Sequence, residues 1–264
     1  MVKQELIKEY NVIPPTNIGR IYSQWTSLSN GIWLMLKGVF SLMLGIFFLI
    51  VVYVSDYDLW IKVLIFLLPC ILFIWVGISE IRKANSLYWI IVGEEGFARY
   101  KVSKKEKRLY DPIYYMYKDM TDLYFPQTKC YTNGSYEHTT YHFIIFNSGE
   151  KIYTESGTYE ETVNDSDNIS YVLDIEKQWT QYLLQRMTYD LQNKGFVVFN
   201  SVEIGFGYLK YKDKMCRKEQ IQNYHIEAGI LTIYFMNYSK IEIDVNNITN
   251  QKCFLNLLNT LVLK

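Results

Sequence analysis

The sequence predicts a membrane α-helical hairpin followed by an α+β region, and two observations predict it. Two apolar runs, residues 31–54 and 59–78, are separated only by Ser55-Asp56-Tyr57-Asp58. Beyond residue 87 the chain turns polar and tyrosine-rich, with strand-length aromatic and β-branched segments, turn residues between them, and two segments of helical periodicity.

Each apolar run is close to the roughly 20 residues a helix needs to cross a hydrocarbon core about 30 Å thick. A soluble amphipathic helix carries polar residues on one face. The middle of the first run instead reads Val39, Phe40, Leu42, Met43, Leu44, Ile46, Phe47, Phe48, Leu49, Ile50. The balance of 27 Lys and Arg against 27 Asp and Glu averages over two different populations of residues and hides this segment. About 30 residues precede the first run and no small-residue cleavage site follows it, so both spans are expected in the mature chain.

Orientation follows from the flanking cations. Lys3, Lys8 and Arg20 precede the first span, Arg82 and Lys83 follow the second, and the short intervening turn holds only Asp56 and Asp58 as charges. Cationic flanks stay on the cytoplasmic side, so both termini are expected there. Trp33 and Trp75 mark one interface; Tyr53, Tyr57 and Trp60 mark the other. Lys37 and Lys62 lie near opposite ends of their runs and can reach an interface by extending their stems. Pro69 is expected to release the Ile65 carbonyl and kink the second helix.

Residues 1–30 form an N-terminal segment. After Pro14-Pro15, Ile18, Ile21, Tyr22, Trp25 and Leu28 recur at helical spacing. This reads either as an amphipathic interfacial helix or as an extension of the first span. In the span itself Gly31, Gly38 and Gly45 recur every seven residues, with Ser41 four before Gly45. Such small residues are helix-packing candidates, against the chain's own second helix or against another protomer.

The remainder divides into residues 87–195 and 196–264. Strands are expected over 87–92, 97–102, 108–117, 122–131, 136–147 and 151–154, with Pro112 confining the third to an edge. Asn133-Gly134 is a strong hairpin turn. A helix is expected over 169–193, its inward face Val172, Ile175, Trp179, Tyr182, Leu183 and Met187, ended by Gly195. The second segment repeats the outline in shorter form: strands over 202–212, 220–226, 230–236 and 240–245, then a helix over 251–263.

Antiparallel strands closed by a C-terminal amphipathic helix outline a pleckstrin-homology-like (PH-like) module, and two such modules are expected. Ile91-Val92-Gly93-Glu94-Glu95-Gly96-Phe97 followed by Tyr117-Lys118-Asp119-Met120 resembles the strand, glycine turn and next strand start of bacterial membrane-anchored PH-like proteins. Lys218-Glu219-Gln220-Ile221 and Ala228-Gly229-Ile230-Leu231-Thr232-Ile233 resemble a second copy. The resemblance is to an uncharacterised bacterial family with two spans and tandem PH-like modules. It implies a multi-pass protein of the bacterial cytoplasmic (inner) membrane and supplies no catalytic residues.

Candidate chemistry is sparse. Cys70, Cys130, Cys216 and Cys253 are scattered, without a CxxC pair, and read as reduced thiols. Five Asn-x-Ser/Thr patterns, from Asn133 to Asn247, are outweighed by the charge rule. On a strand, His138 and His142 stand about 13 Å apart, too far to share a metal. Asp165 and Asp167 lack an EF-hand's glycine and terminal glutamate; Asp167 or Asn168 is expected to cap the following helix. Glu94 and Glu95 solvate a tight turn. Gly205-Phe206-Gly207 lies in an expected strand, far from any re-entrant loop of a channel filter. No phosphate loop, nucleophile elbow or zinc helix occurs, so neither enzyme activity nor a cofactor is expected.

The informative polar element is the run containing Lys101, Lys104, Lys105, Lys107 and Arg108, at an expected hairpin tip soon after the membrane. These are lipid-contact candidates, each worth roughly 1 kcal/mol if it reaches an anionic surface. One short patch on a neutral chain argues against nucleic acid. The sequence therefore predicts a noncatalytic adaptor or scaffold with membrane lipid and a protein partner. The alternatives are a self-associating transport or channel accessory and an immunity or stress-response protein.

Overall fold

The structure, a computed structural model, describes residues 4–10, 12–13, 15–54, 67–85, 87–103, 105–132, 134–160 and 169–263. It is an α+β chain of two compact units: Met1–Pro15, Ile21–Ile91 and Ala98–Tyr114 form one, and Thr16–Arg20, Val92–Phe97 and Tyr115–Lys264 the other.

The first unit opens with α1 (Gln4–Glu9) and β1 (Ile21–Thr26). Helix α2 (Leu28–Val54) follows β1 after a single residue, and α3 (Leu68–Asn85) leads back to β2 (Tyr88–Gly93). With β3 (Gly96–Ser103) and β4 (Arg108–Met116) these make a sheet of order β1-β2-β3-β4. Strand β4 takes the edge of the sheet, as Pro112 led one to expect. The helix pair is thus an insertion between two hydrogen-bonded neighbours. The Ser27 N–H donates to the Tyr88 carbonyl at 3.1 Å, and the Tyr88 N–H donates to Ser27 Oγ at 3.0 Å.

Residues 21–26 are a strand, which corrects the helical reading of 18–28. Pairing with β2 satisfies the backbone, and Trp25 and Thr26 are buried by it; these tertiary gains override the 3.6-residue spacing. Ile18, fully buried, sits in a 3₁₀ turn whose carbonyl accepts the Glu95 N–H at 2.9 Å.

Among the described residues one stretch, Leu34–Val54, is long and apolar enough to cross a membrane, and 11% of its most apolar window is buried. A core helix of a soluble protein would be mostly covered. Here Phe40, Met43, Phe47 and Ile50 of α2, and Ile71, Leu72 and Trp75 of α3, all stand exposed. Residues 55–66 lie outside the described residues, including Tyr57, Trp60, Lys62 and the Ile65 carbonyl that Pro69 was expected to release.

In the second unit, β5 (Asp122–Tyr124) and β6 (Gln127–Thr132) pair in turn with β7 (Ser135–Asn147). The expected single strand over 122–131 is divided at Pro126, which has no N–H to give the ladder. Strand β8 (Glu150–Tyr159) pairs with β7 from Asn147↔Glu150 to Thr139↔Tyr159, well beyond the expected 151–154. Helix α4 (Ser170–Lys194) buries Val172, Ile175, Trp179 and Leu183. It ends at Gly195, whose φ of 80° is the left-handed conformation glycine adopts without strain. Asp167 and Asn168 lie outside the described residues; Ile169 stands at the N-cap without a side-chain cap bond.

A second run then repeats the plan. Strands β9 (Phe196–Phe199), β10 (Val202–Gly205), β11 (Tyr208–Tyr211) and β12 (Lys214–Arg217) form a four-strand meander. The expected strand over 202–212 is two strands, because Phe206-Gly207 is their turn, with Gly207 at φ 75°. Strands β13 (Ile221–Glu227), β14 (Ile230–Phe235) and β15 (Lys240–Asp244) form a three-strand meander. Helix α5 (Gln251–Leu258) and a π turn over Asn259–Leu263 follow.

Both runs therefore read four strands, a 3₁₀ turn, an antiparallel sheet and a helix. The 3₁₀ turns are Tyr117–Asp119 and Lys218–Gln220. In each, the first N–H reaches the turn between the second and third strands: Tyr117 donates to Glu95 at 2.9 Å and Lys218 to Gly207 at 2.8 Å. Where the first run carries its helix insertion, the second has only Asn200-Ser201 between the paired Phe199 and Val202.

Candidate functional site

The end of the first sheet from which α2 and α3 depart gathers the polar groups of interest. The Val102 N–H donates to the Leu87 carbonyl at 3.0 Å, so β3 reaches the level where α3 has just ended. The β3–β4 tip extends past that level. Lys101 lies on β3, Lys105 and Lys107 on the tip, and Arg108 opens β4; Lys104 lies outside the described residues.

Most of these cations have local partners. Lys101 pairs with Asp111 at 3.2 Å, Lys107 with Glu9 at 2.9 Å, and Arg108 with Glu106. Lys105 is exposed with no ion pair among the described residues. The Glu9 carboxylate, hydrogen-bonded to Lys107, raises the ammonium's pKa. Exposed pairs of this kind are screened by solvent and hold little. They exchange readily for another anion.

Beside the tip, Leu87, Tyr88, Arg99, Lys101, Tyr110 and Asp111 line much of a cavity of about 320 Å³. The Arg99 guanidinium lies 4.4 Å from the Tyr88 ring centroid, a cation–π contact that orients it. Arg99 and Lys101 share one face of β3 because alternate strand residues do. That alternation was visible in the sequence, but the approach of Tyr88 and Asp111 was not. Nearby, Tyr100 is buried; burial first, then a hydrogen bond with Tyr114, raises its phenol pKa.

The small residues of α2 meet α3. A Cβ on Gly38 would come 2.7 Å from Ile81 Cγ1 and 3.0 Å from the Gly77 carbonyl oxygen; one on Gly45 would come 2.8 Å from Ile74 Cγ1. The order of these contacts makes the helices antiparallel. Ser41 is half-buried, and the surroundings of Gly31 lie outside the described residues.

A larger cavity of about 510 Å³ in the second run is lined in part by Lys214, Met215, Gln220, Met236 and Lys240. Lys240 is already held by Glu242 at 2.6 Å. His138 lies 3.9 Å from Glu137, whereas His142 Nδ1 is 3.0 Å from Ser156 Oγ. Among the described residues no three His, Cys, Asp or Glu side chains converge as a metal site would require. No family model, curated protein or solved structure matches the chain.

Proposed function

We propose that this chain is a noncatalytic adaptor of the bacterial cytoplasmic membrane. A helical hairpin crosses twice, both termini are cytoplasmic, and two PH-like modules offer strands and grooves to a protein partner. The single observation carrying this reading is the insertion of the apolar helix pair at the β1–β2 turn. Paired strands enter and leave the helices almost directly, so the sheet is coupled to the anchor without a linker. The repeated order of meander, 3₁₀ turn, second sheet and helix supports tandem modules of one plan. The basic tip at the helix end of the sheet supports an orienting attraction to anionic lipid, roughly 1 kcal/mol per cation that reaches the surface.

The test is crosslinking of the full-length protein in its native membrane, with partners identified by mass spectrometry and a chain ending at residue 86 as control. A reproducible partner captured only when residues 87–264 are present is the expected result. Self-crosslinks alone, retained by the shortened chain, would favour an oligomeric membrane accessory instead.

A further inference from the structure

We propose that the cavity between Tyr88, Arg99, Lys101 and Tyr110 binds the headgroup of one anionic glycerophospholipid from the adjoining leaflet. This rests on the membrane-anchored reading above and adds to it a defined site, distinct from diffuse attraction at the hairpin tip.

Position is the first support. Tyr88 is hydrogen-bonded to Ser27, and Ser27 precedes Gly31, where the apolar run begins, by four residues and Leu34, where the span-length stretch begins, by seven. Four to seven helical residues rise about 6–10 Å. The headgroup layer of a leaflet is about 5–8 Å deep. The cavity mouth therefore stands at the outer part of the headgroup layer or just beyond it, within reach of an extended Arg or Lys side chain.

Chemistry is the second. Arg99, its plane set by the Tyr88 ring, offers the donor fork that suits a phosphate's oxygens. Lys101 adds a mobile ammonium. Asp111 opposes them: of the charged side chains that line the cavity, two are cations and one is a carboxylate, a balance that suits the single charge of a phosphodiester. The Lys101 and Asp111 side chains are 63% and 64% exposed, so their pair is weak and a phosphate can take Lys101 from it. Tyr110 supplies a rim phenol for headgroup hydroxyls. At about 320 Å³ the cavity falls at the small end of ligand pockets, which span about 300–1,000 Å³.

The test is native mass spectrometry of the full-length protein in mild detergent, titrated with phosphatidylglycerol or with phosphatidylcholine of the same acyl chains. One retained phosphatidylglycerol, about tenfold tighter than phosphatidylcholine, is expected. The pair R99Q/K101Q removes that preference, and D111N strengthens it severalfold by removing the competing carboxylate. K210Q, on β11 and outside the cavity lining, leaves it unchanged. Equal retention of both lipids, or no effect of R99Q/K101Q and D111N, would overturn the site. Glycerol 3-phosphate binding as tightly as the lipid would reassign it to a free phosphate ester and overturn the lipid assignment. Alkaline carbonate extraction separates the two levels. A chain retained in the membrane but lacking headgroup preference refutes this site alone, whereas a chain released by carbonate refutes the anchored reading itself.

Discussion

At the scale of single residues, the carboxamide of Asn250 joins segments far apart in sequence. Its Oδ1 accepts from the Leu123 N–H at 2.9 Å and from Trp179 Nε1 at 2.8 Å, and its Nδ2 donates to Asp122 Oδ1 at 3.2 Å. Two donors converge on one atom, which settles which end of the amide is oxygen. The residue is buried and left-handed, with φ 56°. It therefore ties the start of α5 to β5 and α4. N250A strands two buried donors at about 1–3 kcal/mol each and replaces asparagine, which tolerates the left-handed region, with alanine, which tolerates it less. The expected loss is about 3 kcal/mol, read as a lowered urea midpoint for the purified chain; a loss under about 0.5 kcal/mol would refute the role.

The thiols give a second residue-scale prediction. Burial pushes Cys216 up to about 11, Lys214 offsetting part of the effect, and Cys253 up to about 12. Both stay protonated and shielded at neutral pH, whereas Cys130 is only half-buried. A maleimide at neutral pH is expected to label Cys130 and spare Cys216 and Cys253; equal labelling would contradict their burial. The sign of the linkage follows. The unfolded thiols ionise near pH 8.5 while the folded ones remain neutral. Their contribution is intact below that pH and is lost as pH rises toward 11–12.

At the scale of elements, α2 and α3 approach closely because neither backbone carries a side chain at the crossing. A Cβ on Gly77 would lie 2.9 Å from the Gly38 carbonyl oxygen and 2.7 Å from Leu42 Cγ. G38L or G77L must push the helices apart, so each is expected to lower the thermal midpoint in detergent without changing protomer number. Dissociation of an oligomer with an unchanged midpoint would instead place these glycines between protomers. The elements differ in how readily the sequence discloses them. Helix α4 was legible because its apolar stripe and Gly195 stop agree. Strand β1 was not, because its partner lies across the helix insertion: the Thr26 hydroxyl bonds the Tyr88 carbonyl 62 residues away. A local window sees only the helical spacing of Ile18, Ile21, Tyr22 and Trp25. Strands β9 and β12 span four residues each, too short to show alternation. The cavity was half legible, since Arg99 and Lys101 alternate in plain view while Tyr88 and Asp111 arrive through strand pairing.

At the scale of the whole molecule, the helix pair occupies the place that a two-residue turn fills in the second run. An insertion between paired strands can be removed without unmaking the sheet, provided that the strands are rejoined by a turn of suitable geometry. The decisive measurement is carbonate extraction of the full chain alongside a variant in which residues 28–86 are replaced by Asn-Gly. The full chain is expected to stay with the membrane, and the variant to be soluble, with β-rich circular dichroism and a cooperative unfolding transition. Release of the full chain by carbonate would contradict the anchor. A variant that is membrane-free but unfolded would show that the helices are part of the fold rather than an insertion into it.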